Sequence, residues 1–273
     1  VSGGTFTITT GDDGVHADEA VTITDGTLEI SQCYEGIEGQ TIDISGGTID
    51  IISSDDGLNA AGGADQSGFG GRGPDSFGDS SDCSITISGG TIRIDTSGDG
   101  IDSNGDLNVS GGEIYVSGPT SDSDSALDYD STATVTGGTV VAAGYSGMAQ
   151  NFGANSTQGS ILLTCQSAST ETIRVTDASG NVLAEFTPAK AYTCVVVSIP
   201  ALAQGSTCTV TMGGQSTNVT LESLIYGSGG MGGGMGTPPD GTGGSSMGTP
   251  PDGNNGSNMG TPPDGGKGSR PGQ

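Results

Sequence analysis

Acidic residues that recur at a nearly constant interval are the clearest chemical signal in the chain. One recurring position is occupied by Asp13, Glu35, Asp56 and Asp99. A second position, three residues further along, is occupied by His16, Glu38, Asn59, Asp102 and Asp128. If the fold stacks these positions, their carboxylates form a row of oxygen ligands, which is the donor type that Ca²⁺ prefers.

The glycine that precedes each β-rich segment recurs with the same period. These glycines are Gly4, Gly26, Gly47, Gly90, Gly112 and Gly138, separated by 22, 21, 43, 22 and 26 residues. The gap of 43 residues spans two periods, and residues 62–82, which are rich in Gly, Ser and Asp, are predicted to form a loop within it. A repeat of about 22 residues indicates a solenoid, in which each repeat packs only against its neighbours.

Each repeat contains three short segments with the alternating pattern of half-buried β-strands. Stacking turns one apolar position of the first segment into an interior column of Phe6, Leu28, Ile49, Ile92, Ile114 and Val140. The glycines suit the corners, where a positive φ or a close backbone approach is required. We therefore predict an all-β protein, a right-handed parallel β-helix of about six to seven rungs.

The period ends near residue 160, and the rest of the chain divides in two. Residues 161–226 contain more widely spaced strands and are predicted to form an antiparallel β cap, because an uncovered rung is an open sheet edge. Residues 227–273 repeat Met-Gly-Thr-Pro-Pro-Asp with a period of 12 residues and have too few apolar residues to order themselves. The predicted domains are a β-helix at 1–160, a cap at 161–226 and a disordered linker or tail at 227–273.

Stacked acids create an electrostatic problem that requires either a cation or raised pKa values. Equivalent side chains one rung apart lie about 4.8 Å from each other, so like charges there repel. Ca²⁺, with roughly six to eight flexibly placed oxygen ligands, fits better than the stricter Mg²⁺. The lone His16 gives no basis for predicting zinc, because no thiolate or second histidine accompanies it. A merely solvated acidic face is the alternative. The predicted calcium ligands are Asp12, Asp13, Glu35, Glu38, Asp55, Asp56, Asp99, Asp102 and Asp128.

The composition excludes some partners. The chain has 32 Asp and Glu against 6 Lys and Arg, a net charge of −26, whereas nucleic acids and anionic membranes are bound through Lys and Arg. No run approaches the roughly 20 apolar residues of a membrane helix. The five cysteines fit no zinc pattern and are predicted to be small buried residues, with a Cys194–Cys208 bridge left open.

Six short runs, in this order, resemble a family of bacterial extracellular carbohydrate-binding domains. The runs are GDDGVHAD (11–18), YEGIEG (34–39), DDGLNAAGG (55–63), GDGIDSNG (98–105), ALDYD (126–130) and SGMAQ (146–150). The resemblance covers roughly residues 1–226 and implies a polysaccharide-lyase-like right-handed β-helix that binds calcium, cellulose and acidic sugars, in a secreted, possibly cell-surface protein. The chain looks like the C-terminal portion of that domain, so we expect earlier rungs to precede Val1.

The leading functional hypothesis is a calcium-dependent polysaccharide-binding module of the plant cell wall. Calcium would bridge the acidic protein to acidic sugars such as pectate, and aromatic rings would stack on neutral glucans. The predicted sugar contacts are Tyr115, Arg93, Tyr34, Tyr129 and, in the 62–82 loop, Arg72.

Two other functions are weighed against it. A structural or adhesive protein would associate end to end through an exposed terminal rung. A calcium-dependent polysaccharide lyase would need a basic residue near the metal. The rungs contain no lysine, so we predict that the chain is not an enzyme.

Overall fold

The computed structural model describes residues 1–61 and 82–227, and these residues form β-strands and no α-helix. The strands are β1 (Ser2–Thr9), β2 (Val15–Ile23), β3 (Asp25–Cys33), β4 (Ile37–Ser53), β5 (Leu58–Ala60), β6 (Ser84–Asp95), β7 (Ile101–Ser103), β8 (Asp106–Ser117), β9 (Asp128–Tyr129), β10 (Ala133–Val135), β11 (Thr139–Gly144), β12 (Ser160–Ser169), β13 (Ile173–Asp177), β14 (Val182–Phe186), β15 (Tyr192–Ser198), β16 (Thr207–Met212), β17 (Gln215–Thr220) and β18 (Ile225–Tyr226).

The first part of the chain is a β-solenoid of about five turns, which confirms the predicted fold class. Parallel pairing runs along β1, β3, β4, β6, β8 and β11 on one side of the coil. It runs along β2, β4, β6, β8 and β10 on a second side. The short strands β5, β7 and β9 continue a third side from β4. Three parallel sides per coil are what the sequence pattern predicts.

Apolar side chains from successive coils form the core, as the alternation predicts. Leu28, Ile49, Ile92, Ile114 and Val140 follow one another in register and are fully buried. Phe6 pairs with Leu28 in the same column but is 44% exposed, because β1 pairs with β3 on one side only among the described residues.

The predicted corner glycines adopt the backbone conformation that the corners require. Gly26, Gly47, Gly90, Gly112 and Gly138 have φ between 86° and 110°, a region that side-chain-bearing residues rarely adopt. The regular glycine period is therefore set by backbone geometry at one edge of the coil.

The parallel stack ends where an antiparallel strand takes its place, which is the predicted cap. β11 pairs with β8 in parallel on one side and with β15 antiparallel on the other. β15 then pairs antiparallel with β12. The sixth segment, β11, is thus the last parallel strand on its side, and the solenoid has about five turns where the glycine count suggested six to seven.

A second antiparallel sheet, in the order β14-β13-β16-β17, follows the solenoid. A separate apolar cluster contains Val141 and Ala143 of β11 together with Ile173, Val195 and Val210. Lys190 adds a polar link, because its Nζ lies 2.9 Å from Asp95 Oδ1 and donates to Thr96 O at 2.6 Å.

The remaining predictions about the fold concern the cysteines, the loop, the tail and a membrane helix. All five cysteines are free, with Cys165 half-buried and the other four buried, in agreement with the prediction of small buried residues. The predicted loop, apart from Asp82, and the predicted tail, apart from Gly227, lie outside the described residues. No helix long and apolar enough to cross a membrane is found among the residues that the structure describes.

A second glycine column fixes how closely the coils approach each other. A Cβ atom on Gly57 would lie 2.4 Å from Gly100 O in the next coil and 2.4 Å from Ile94 Cγ2. Gly36 is equally confined, since its Cβ would lie 2.2 Å from Gly57 O. Real Cβ atoms do not reach such distances, so an added methyl group has to push two coils apart.

Replacing Gly57 with alanine is expected to destabilise the solenoid by about 3 kcal/mol, because both clashing atoms belong to closely packed coils. Urea unfolding followed by circular dichroism measures the change. Gly11→Ala is the matched control, since a Cβ there has no atom within 4 Å, and it should leave the midpoint nearly unchanged. Equal midpoints for Gly57→Ala and Gly11→Ala would contradict the close packing.

Candidate metal centre

The second recurring position forms a continuous column in the structure. Backbone pairing places His16 beside Glu38, Glu38 beside Asn59, Asn59 beside Asp102, and Asp102 beside Asp128. Neighbouring members therefore belong to adjacent coils, at about the 4.8 Å spacing of paired strands. We call these five residues the outer column.

The first recurring position forms a parallel row, which we call the inner column and which consists of Asp13, Glu35, Asp56 and Asp99. The backbone N–H of Glu35 donates to Asp13 Oδ1 at 3.3 Å, and that of Asp99 donates to Asp56 Oδ1 at 2.6 Å. Asp99 Oδ1 in turn accepts from the N–H of Ser125. Asp13, Asp56 and Asp99 thus each accept a hydrogen bond from the backbone at the equivalent position of the next coil.

The local sequence explains why the two columns lie side by side. In each coil that contributes to both columns, a glycine and an apolar residue separate the two positions, as in Asp56-Gly57-Leu58-Asn59. Leu58 points into the core and is fully buried. The glycine leaves room for the coil above, and the flanking polar side chains remain at the wall of the solenoid.

The columns contain two groups of side chains with the spacing of metal ligands. Asp13, His16 and Glu38 form the first group, with ligand atoms within 4.8 Å of one another. The second group meets the same distance limit and consists of Asp56, Asp99 and Asp102. The described cationic side chains Arg93, Arg174 and Lys190 have their recorded contacts elsewhere, with Tyr115, Glu185 and Asp95.

Glu35 and Asn59 lie between the two groups and are both buried. Asn59 Nδ2 donates to Glu35 Oε2 at 2.9 Å. The other amide atom, Asn59 Oδ1, is buried and has no hydrogen-bond partner in the structure. An unpaired buried oxygen costs free energy of about 1–3 kcal/mol, so a ligand that accepts its lone pairs would stabilise the site.

Burial and mutual repulsion hold protons on these acids. Burial, and then the neighbouring charge of Glu38, raises the pKa of Glu35 to about 8. Burial, and then the charge of Asp102, raises the pKa of Asp99 to about 8 and that of Asp56 well above its ordinary value. The pKa of Glu38 is raised as well, mainly by burial.

The remaining predicted metal ligands flank the columns. Asp12 is exposed and Asp55 is half-buried. The backbone of Tyr34 lies between them: its N–H donates to Asp12 O, and its carbonyl oxygen accepts from the N–H of Asp55. A side-chain hydrogen bond to Asp55 is the main reason that the pKa of Tyr34 is raised. Asp128 ends the outer column, where its carboxylate accepts from Gln150 Nε2.

The structure does not bring the predicted sugar contacts together at one place. Tyr34 lies beside the columns, whereas Arg93 and Tyr115 lie on the paired strands β6 and β8, with the Arg93 guanidinium 5.6 Å from the centre of the Tyr115 ring. Tyr115 also packs against Phe186, their ring centres 5.2 Å apart. Tyr129 donates its hydroxyl to Asn151 O at 2.6 Å. Arg72 lies outside the described residues.

Three polar side chains of this region were not predicted as ligands. Asn59 and His16 occupy the outer column, and Gln150 contacts its last member. The positions of Asn59 and His16 in the repeat were visible in the sequence, but their chemistry differs from that of the acids around them. The unpaired state of Asn59 Oδ1 depends on side-chain directions, which the repeat does not specify.

One comparison with known proteins identifies a similar family. A family model described as "carbohydrate-binding domain-containing protein" matches residues 1–70, about a quarter of the 273-residue chain. The similarity supports carbohydrate binding as the general class of function and is consistent with a non-catalytic module. Neither the curated proteins nor the solved structures contain a significant match to the chain.

The metal-free protein should become less stable as the pH rises. In the folded chain Glu35 and Asp99 hold their protons up to about pH 8, against ordinary pKa values of 4.5 and 3.8. The folded state therefore binds more protons across this range, and the free energy of unfolding falls as the pH rises. Each group contributes up to about 1.4 kcal/mol per pH unit. Urea unfolding in chelator, from about pH 5 to about pH 9, measures the slope.

Isosteric variants test whether the buried acids cause this slope. Glu35→Gln keeps an acceptor for Asn59 Nδ2 but cannot ionise, so the slope should decrease. Asp43→Asn removes an exposed charge outside the columns and should leave the slope unchanged. Stability that rises with pH in the parent protein would overturn this account.

Proposed function

We propose that the chain is an extracellular, calcium-dependent module that binds polysaccharides. The observation that carries the proposal is the stacking of acidic side chains in two adjacent, partly buried columns. Carboxylates held so close together attract a divalent cation. The similarity of residues 1–70 to a carbohydrate-binding family supports the sugar as the other partner.

Calcium suits the group formed by Asp56, Asp99 and Asp102. All of its donors are oxygens, and Asn59, whose backbone pairs with that of Asp102, has in Oδ1 a buried oxygen without a hydrogen-bond partner. Calcium accepts mixed carboxylate and amide oxygens in irregular geometry, whereas Mg²⁺ requires a nearly octahedral set. Calcium binding would also remove the protons that burial now holds on these acids.

A bound calcium ion would make an acidic protein able to bind an acidic sugar. With a net charge of −26, the chain repels a polyuronate such as pectate unless a cation lies between them. Tyr34, half-buried beside the columns, offers a ring for stacking against a sugar face. Plant cell-wall polysaccharides, either acidic or cellulosic, are the proposed ligands, and they imply a secreted protein.

The arrangement favours binding over catalysis. Uronate elimination needs a base close to the metal, and Lys190 is engaged by Asp95 and by Thr96 O. Arg93 faces Tyr115 on a different strand from the columns. We therefore propose that the module has no lyase activity, which the absence of unsaturated uronate products after incubation with polygalacturonate would support.

Calcium should stabilise the protein through the Asp56 group. At a concentration of about 100 times its dissociation constant, calcium adds about 2.7 kcal/mol to the free energy of unfolding. Asp102→Asn should remove most of this gain, because it deletes one charge of the cluster. Asp43→Asn, an equal change of charge outside the columns, should retain it. Thermal unfolding of the parent chain and of both variants, in calcium and in chelator, measures the stabilisation by calcium.

Replacing the unpaired amide gives a sharper test of the ligand set. Asn59→Leu removes the buried oxygen and the Glu35 contact at similar volume, so calcium affinity should fall about tenfold or more while the fold survives. Calorimetric titration with calcium measures the affinity. Undiminished calcium binding in both Asp102→Asn and Asn59→Leu would contradict a site at this position.

Polysaccharide binding should depend on calcium and on the ring of Tyr34. Calorimetry with polygalacturonate, and sedimentation with insoluble cellulose, should detect binding in calcium and its loss in chelator. Tyr34→Ala should weaken binding about tenfold, the usual contribution of one stacked ring. Tyr34→Phe keeps the ring and should bind nearly as well as the parent chain. Sugar binding that persists in chelator would contradict the bridging role of calcium.

A further inference from the structure

The group of Asp13, His16 and Glu38 differs in chemistry from the all-oxygen group further along the columns. His16 is the only histidine of the chain. Its Nδ1 atom lies 2.5 Å from Glu38 Oε2 and 3.7 Å from Asp13 Oδ2. Two carboxylates and one imidazole nitrogen thus converge on a single point.

We propose that Asp13, His16 and Glu38 form a separate site for a transition-metal dication of the Zn²⁺ class. Imidazole nitrogen is a good ligand for such metals and a poor one for calcium, which prefers oxygen. Zinc takes nitrogen and carboxylate ligands at about 2.0–2.2 Å in tetrahedral geometry, so its ligand atoms lie roughly 3.4 Å apart. The separation of Asp13 Oδ2 from His16 Nδ1 is close to this value, and a bound ion would separate His16 from Glu38.

The charge at this point favours a dication over an internal ion pair. The side chains of Asp13 and Glu38 are only 3% and 9% exposed. When both acids are ionised, a protonated His16 supplies one positive charge against two carboxylates, which leaves a net negative charge in a poorly solvated place. A dication bound to neutral imidazole balances both carboxylates.

The surroundings of His16 match those of a metal-bound histidine. Its second ring nitrogen, Nε2, lies 3.3 Å from Asp18 Oδ1. Histidines that bind metals commonly donate the other N–H to a carboxylate, which fixes the ring and makes it a better ligand. Asp13 is oriented as well, since its Oδ1 accepts the N–H of Glu35 and its Oδ2 faces the imidazole.

The proposed site is open on one side. The His16 side chain is 31% exposed, so solvent reaches the ion through the imidazole edge. Three protein ligands leave a fourth tetrahedral position, which would hold water or an oxygen atom of a bound ligand. The site therefore differs from a closed structural zinc site, and it does not depend on the proposed calcium or sugar binding.

Zinc titration of the full chain in saturating calcium tests this inference. Calorimetry should show one zinc ion per chain, and His16→Gln should abolish that binding. Asp18→Asn should weaken it about 10–100-fold, because Asp18 only positions the imidazole. Replacing zinc with Co²⁺ should give the strong visible absorption of four-coordinate cobalt, which is also lost in His16→Gln.

Two further variants separate this site from the calcium site. Asp102→Asn should lose calcium stabilisation and keep zinc binding, and His16→Gln should keep calcium stabilisation, which also shows that it folds. Asp43→Asn should resemble the parent chain in both titrations. The inference is wrong if the parent chain binds no zinc in saturating calcium, or if His16→Gln binds zinc as tightly as the parent.

Discussion

The register between successive coils is the constraint on which the rest of the structure depends. Parallel pairing places each residue over its equivalent one turn earlier, at about 4.8 Å. For Leu28, Ile49 and Ile92 this produces a continuous buried column. For Glu38, Asn59 and Asp102 the same geometry concentrates polar and charged groups. The same stacking therefore produces both the buried apolar core and the crowding of polar and charged side chains in the outer column.

Glycine makes this close stacking possible at two places in the coil. At the corner, Gly47 and Gly90 take positive φ values that turn the chain from one side to the next. Beside the columns, Gly36 and Gly57 leave no room for a Cβ atom against the next coil. The first requirement is conformational and the second is steric. Together they explain why the repeat keeps glycine where most strands would not tolerate it.

Much of the architecture could be predicted from the sequence because it follows from periodicity. The coil, its corners and both columns depend on residues that recur every 22 or so positions, so their stacking needs no knowledge of distant contacts. The number of turns was overestimated, since β11 matches the repeat although its other neighbour, β15, is antiparallel. The contact of Tyr115 with Phe186 and that of Lys190 with Asp95 join residues without any periodic relation. Side-chain directions, such as that of Asn59 Oδ1, also lie beyond what a repeat can specify.

Two residues of the outer column, His16 and Asn59, depart from its acidic pattern. A carboxylate at position 59 would give an unbroken row from Glu38 to Asp128, and its repulsion would have to be balanced along the whole length. The amide of Asn59 adds no charge, and its Nδ2 donates a hydrogen bond to Glu35. His16 at the beginning of the row places an imidazole nitrogen where a further carboxylate would stand. The columns therefore contain two groups of different donor chemistry, and these groups differ through a few departures from a side-chain pattern that the backbone otherwise repeats strictly.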